Sequence, residues 1–92
     1  MKKKIIIYHH LGLGDHIHCN GLIRFMLKQI RNAEIYIFTR ENFKKMIKFM
    51  YRDEKKIKLI IIPKNINDES SYVNNFLKKI KYFKFYKIGF EN

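Results

Sequence analysis

Residues 4–24 read KIIIYHHLGLGDHIHCNGLIR, and this stretch decides how the chain begins to fold. Ile5 to Tyr8 is a short apolar run bounded by polar residues, which predicts a strand from about Lys4 to His9. Gly12 and Gly14 then interrupt the pattern, and they are expected to supply φ > 0 for a tight turn. Asp15 follows as the expected N-cap of an amphipathic helix that runs to about Arg31. His16, Asn20, Arg24, Lys28 and Arg31 recur at spacings of four and three and form its polar stripe. Ile17, Leu22, Ile23, Phe25, Met26, Leu27 and Ile30 are its apolar residues, and Cys19 reads as a small buried one. Gly21 inside the helix costs about 1 kcal/mol relative to Ala, which points to close packing on a sheet or a ligand. Such a corner holds backbone N–H groups at the positive end of a helix dipole, beside a carboxylate and several imidazoles. It suits a polar or anionic substrate and the movement of a proton.

The same alternation continues downstream. Glu34 to Thr39 is a second strand, and Glu41 to Tyr51 a basic helix with Phe43, Met46, Ile47, Phe49 and Met50 apolar. Ile57 to Ile62 is a third strand, an almost unbroken apolar run of the kind buried on both faces, ended by Pro63. After a polar loop, Asp68 or Ser70 caps a helix to about Tyr82, with Tyr72, Val73, Phe76, Leu77 and Ile80 on one side. Phe85 to Phe90 is a fourth strand. The order βαβαβαβ predicts an α/β fold with a four-stranded parallel, Rossmann-like sheet and right-handed crossovers. Ligands of such sheets bind beyond the carboxyl ends of the strands. The loop from His9 to Asp15 lies at one such end, and Thr39–Glu41 and Pro63–Asn67 are candidate cleft walls.

Familiar nucleotide motifs are not met. In a G-x-G-x-x-G fingerprint Ile17 stands where the third glycine belongs. The second strand ends in Phe38-Thr39-Arg40 rather than in an acid for a ribose hydroxyl, and no Gly-Lys-Ser/Thr follows the turn. His9, His10, His16 and His18 crowd ten residues, but His16 and His18 stand roughly 200° apart on a helix and cannot share one ion. They read as polar side chains lining a cleft; no metal and no cofactor is expected.

The 92 residues make one small domain, and the formal net charge is +12. Sixteen Lys against four Arg, among many Ile, Asn, Phe and Tyr, fits A/T-rich codon usage better than phosphate reading by Arg forks. No nucleic-acid partner is expected, and an anionic membrane surface is the better use of the charge. Cys19 is the only cysteine, which suits a reducing, cytoplasmic compartment. The N-terminal apolar run stops after four residues, too short for a signal or a span.

The stretch Leu11-Gly12-Leu13-Gly14-Asp15-His16-Ile17, after a hydrophobic first strand, resembles the start of the heptosyltransferase-like glycosyltransferases of GT-B fold, bacterial enzymes that build lipopolysaccharide and capsule sugars. The resemblance implies that the glycine turn faces the acceptor and that Asp15 is the catalytic base. It implies substrate contacts from His10, Gly12, Leu13, Gly14, His16, Asn20 and Arg24. The Asn-Gly-Leu-Ile-Arg stretch is similar to fucosyltransferase-like GT-B enzymes, in which a helix-borne arginine meets the donor diphosphate; here that residue is Arg24. The chain departs from the first pattern at Cys19-Asn20-Gly21, where the family has a proline. The partners implied are a sugar-nucleotide donor and a glycan acceptor, with a peripheral contact at the inner membrane face. A GT-B enzyme holds its donor mainly in a second domain. Residues 1–92 are therefore expected to be a partial, acceptor-side N-terminal domain, inactive alone. A different reading is a small flavodoxin-like module that holds a nucleotide or phosphate at the glycine turn. A receiver domain is disfavoured, because His9-His10 and Ile62-Pro63 stand where its acids belong.

Overall fold

A computed structural model describes residues 2–89. Four strands and three α-helices alternate along the chain: β1 (Lys3–Tyr8), α1 (Leu13–Gln29), β2 (Ala33–Arg40), α2 (Lys44–Met50), β3 (Ile57–Ile62), α3 (Glu69–Lys79) and β4 (Lys84–Lys87). All strand pairs are parallel, and the sheet order is β3-β2-β1-β4. The first two crossovers step one way from β1, and the third returns past it. The order therefore reverses between β1 and β4, as in half of a doubly wound, Rossmann-like sheet.

The period-2 alternation of strand side chains divides the core into two layers. Ile5, Ile7, Ile35, Ile37 and Ile57 point to one face, where Cys19 and Ile23 of α1 and Ile47 of α2 cover them. Ile6, Tyr8, Phe38, Ile60 and Ile62 point to the other, where Val73, Phe76 and Leu77 of α3 pack. The long crossover thus has its own side of the sheet. β1 and β2 are central and buried on both faces. β3, expected to be buried on both faces, is an edge strand; Ile57, Ile60 and Ile62 are buried while Lys58 is exposed.

Several boundaries and orientations differ from the sequence expectation, each for a physical reason. α1 begins at Leu13, with Gly12 as N-cap, so Asp15 is the third helical residue and not the cap. Neither Gly12 (φ −74°) nor Gly14 has a positive φ; Leu11 takes the left-handed conformation instead, at φ 69°. The buried line of α1 is His16, Cys19 and Ile23, which puts His16 inside and leaves Ile17, Leu22 and Phe25 exposed. At 100° per residue, Ile17 and Phe25 stand about 120° and 160° from Ile23, so one sheet face cannot take all three. Gly21 is exposed, and a Cβ there would meet nothing within 4 Å, so close packing is not its reason.

The second helix starts as a 3-10 turn, Glu41–Phe43, and leaves Met46 and Phe49 exposed. α3 is capped by Asp68, whose Oδ1 accepts the Ser71 N–H at 3.2 Å and whose Oδ2 accepts the Ser71 hydroxyl at 2.7 Å. It ends at Lys79, before Tyr82. β4 is shorter than expected, and Phe90, the expected last residue of that strand, lies outside the described residues.

Candidate functional site

β1 delivers the chain to the carboxyl edge of the sheet beside β4, and the next seven residues build the corner. Leu11 bends the chain in the left-handed region, a conformation that costs a non-glycine residue about 1–2 kcal/mol. Its side chain is buried and its N–H donates to His9 Nδ1 at 2.9 Å, and both offset that cost. Gly12 then opens the helix: its carbonyl accepts the His16 N–H at 3.2 Å, and its N–H donates to Asp15 Oδ2 at 3.1 Å. Gly12 has no side chain with which to cap the helix. The N–H groups of the first turn are thereby left for water or a ligand. A Cβ on Gly12 would stand 2.9 Å from Asp15 Oδ2, so glycine leaves the carboxylate room to sit where it does.

Beneath Asp15 the side chains are buried and linked. His9 and His16 meet through Nε2 and Nδ1 at 3.2 Å, with their rings edge to face, and His16 Nε2 meets the Thr39 hydroxyl at 2.9 Å. Burial holds the His9 imidazole below its usual pKa, and burial together with the neighbouring His9 pushes His16 down to about 4, against the opposing pull of Asp15. Both rings are thus neutral at physiological pH. Each spends both ring nitrogens on a protein partner, which leaves none for an ion.

His10 is exposed and bonds through Nε2 to the Gly89 carbonyl, beyond β4, so the two strands flanking the order reversal are tied at their carboxyl ends. Leu13 and Gly14 form the first turn of α1. Asn20 and Arg24 lie further along the helix and belong to a different cluster. The Arg24 Nε–H donates to Asn20 Oδ1 at 2.8 Å, its two terminal nitrogens donate to the Asp53 carboxylate at 2.9 Å each, and one also donates to the Met50 carbonyl at 3.0 Å. Its guanidinium also lies over the Tyr51 ring. Nine residues of helix separate Arg24 from Asp15, roughly 14 Å at 1.5 Å each. Arg24 fastens α1 to the end of α2 and does not meet the turn. Of the expected site residues, His10, Gly12, Leu13, Gly14, Asp15 and His16 share the corner, and Asn20 and Arg24 do not.

The expected walls do form a cleft at the same edge. A cavity of about 350 Å³ lies at the carboxyl ends of β2 and β3, lined by Arg40, Asn42, Ile62, Pro63, Lys64, Ile66 and Glu69. Arg40 is committed to Glu69, with bonds of 2.7 and 3.1 Å that hold the guanidinium above its usual pKa. A larger cavity, about 480 Å³, lies at the opposite, amino edge between Lys2–Lys4 and Lys81–Phe83, away from the glycine turn. We favour the carboxyl edge, because parallel sheets of this topology leave their crevice there.

The sequence places His9 and Thr39 along the cleft; what it does not show is that both bond to the buried His16 ring. The two lie seven and 23 positions from His16, and no local periodicity marks such spacings. No protein family, curated protein or solved structure matches this chain. Among the described residues, no helix is long and apolar enough to cross a membrane. The class defined by fold and site is a small parallel α/β domain with a strand–glycine turn–helix corner at its order reversal.

Proposed function

We propose that this chain is the acceptor-side part of a GT-B glycosyltransferase that transfers a sugar from a nucleotide-sugar to a lipopolysaccharide or capsular glycan. The observation that carries the reading is the setting of Asp15. It is a half-buried carboxylate on the first turn of α1, at the carboxyl end of β1 and next to the reversal of strand order. There a glycan hydroxyl has a carboxylate to take its proton, and the glycan's neighbouring oxygens have the N–H groups of the first turn. A sugar diphosphate would be held mainly by a second domain, since Arg24 and Arg40 already serve Asp53 and Glu69.

An anionic membrane surface belongs to the same reading. α1 and α2 cover one face of the sheet, and Phe25 and Phe49 project from that layer at 59% and 64% exposure, among exposed Lys28, Lys45, Lys48 and Arg52. Phenylalanine tips with a basic surround fit an anionic lipid interface.

The test is a titration of the ¹⁵N-labelled chain with glycan acceptor fragments, alongside calorimetry with a panel of nucleotide-sugars. Acceptor binding is expected to shift the amides of residues 11–16, while nucleotide-sugars bind weakly. Tight nucleotide-sugar or phosphate binding at the glycine turn would instead favour a flavodoxin-like binding module. Shifts confined to Lys2–Lys4 and Lys81–Phe83 would move the site to the other edge.

A further inference from the structure

The turn that carries Asp15 rests on side chains that the proposed chemistry does not use. Their hydrogen bonds have only one consistent set of directions. A backbone N–H can only donate, so the Leu11 N–H fixes His9 Nδ1 as an acceptor without a proton. His9 is then neutral with its proton on Nε2, which points at His16 Nδ1. That atom must accept, so the proton of His16 sits on Nε2 and is donated to the Thr39 hydroxyl. One run of bonds thus passes from the loop, through the end of β1 and the first turn of α1, to the end of β2. Its first member copies an Asx-turn, in which a side chain accepts the N–H two residues on.

We propose that His9 and His16 are positioning residues: through this one-way relay to Thr39 they hold Leu11 left-handed and fix the first turn of α1, and so the direction in which the Asp15 carboxylate faces. The proposal rests on the reading that this turn is the functional site. His16 follows Asp15 directly on the first turn of α1, so anchoring its ring at both nitrogens anchors the stretch of backbone that carries Asp15. The charged and titratable groups acting on the relay are Asp15, which reaches both rings, and His10, which acts on His9. Cys19 lies one turn along α1, and Arg40 at the end of β2 feels the same Asp15 charge.

Long-range ¹H–¹⁵N spectra of the 92-residue chain read the tautomers directly. Both rings are expected as the Nε2–H form at neutral pH; an Nδ1–H form on either ring overturns the relay. His9→Ala is expected to speed exchange of the Leu11 amide at least tenfold. His9→Asn is expected to restore it, because Asn Oδ1 closes a true Asx-turn. In His9→Asn, however, His16 is expected to lose its single tautomer and the amides of residues 12–15 to shift. Turn amides unchanged in that variant would leave His9 a local clamp and sink the proposal. If the His9 variants do not fold, Thr39→Ser and Thr39→Val decide. Ser keeps the acceptor of His16, Val removes it, and equal spectra at the turn for the two overturn the relay. No sugar enters these measurements, so they fail or succeed independently of the glycosyltransferase reading.

Discussion

Asp15 carries two roles that a single substitution separates. As a structural group it accepts the Gly12 N–H, and as the proposed base it takes a proton. Asn keeps the first role and loses the second. In an enzyme that carries this domain, Asp15→Asn is expected to fold with near-normal stability and to lose about 10²–10⁴-fold in turnover. Gly12→Ala is a complementary probe. Alanine tolerates φ −74°, but its Cβ would press on Asp15 Oδ2 from 2.9 Å and displace the carboxylate. Turnover is expected to fall towards the ~10²-fold loss that a misplacement of about 1 Å brings, with unchanged circular dichroism. Full activity in both variants would leave Asp15 a structural residue only.

His16 adds a pH dependence. Its folded pKa of about 4 lies below the ordinary 6.5, so the unfolded chain binds the extra proton more readily. The stability that neutral His16 supports is complete above about pH 6.5 and is lost as pH falls towards 4. The gap corresponds to about 3 kcal/mol. Urea unfolding at pH 7 and pH 4.5 is expected to show most of that loss, and His16→Gln, which does not titrate, is expected to flatten it. A wild-type midpoint that does not move between the two pH values would contradict the buried neutral ring.

At the level of elements, each strand was legible because its apolar run is short, dense and bounded by polar or breaking residues. The phase of α1 was not. Ile17, Leu22, Ile23, Phe25 and Met26 surround most of that helix, so no arc of it is plainly the inner one. What turns His16 inward is a pair of partners, one just past the end of β1 and one on β2, which only the folded sheet brings near. The same holds for Leu11: glycines are the expected left-handed residues, and its tolerance of that conformation depends on the His9 ring. Arg24 illustrates the limit for the site itself. Its helix position was legible, but its commitment to Asp53 was not. Gly21 then stands as an uncompensated helix breaker on an exposed face. Gly21→Ala is expected to stabilise the chain by about 1 kcal/mol, read as a raised melting temperature. A destabilised variant would mean that something must approach that backbone closely.

For the molecule as a whole, charge and exposed apolar area coincide on the layer made by α1 and α2. The Arg52 guanidinium stacks over the Phe49 ring at 3.9 Å, so a cation and an aromatic ring are presented together. Sedimentation with vesicles is expected to show binding when anionic lipid is present and little with zwitterionic lipid. Half-molar salt should weaken it several-fold, because the Debye length falls well below that of physiological salt. Phe25→Ala with Phe49→Ala should weaken it at unchanged charge. Binding that ignores the phenylalanines would reduce the contact to unspecific attraction by lysine.

The strand order also sets a timetable for synthesis. Ile5 pairs with Ile35 on one side but with Lys84 on the other. On a ribosome, β1 and β2 can meet while β4 has not yet been made. The longer closure adds only about 1 kcal/mol of loop entropy, a minor matter at equilibrium. For the nascent chain it means a central strand that waits, one edge unpaired, while α2, β3 and α3 are translated. The contact of His10 with Gly89 comes later still, so the tie between the carboxyl ends of β1 and β4 is among the last parts of the fold to close.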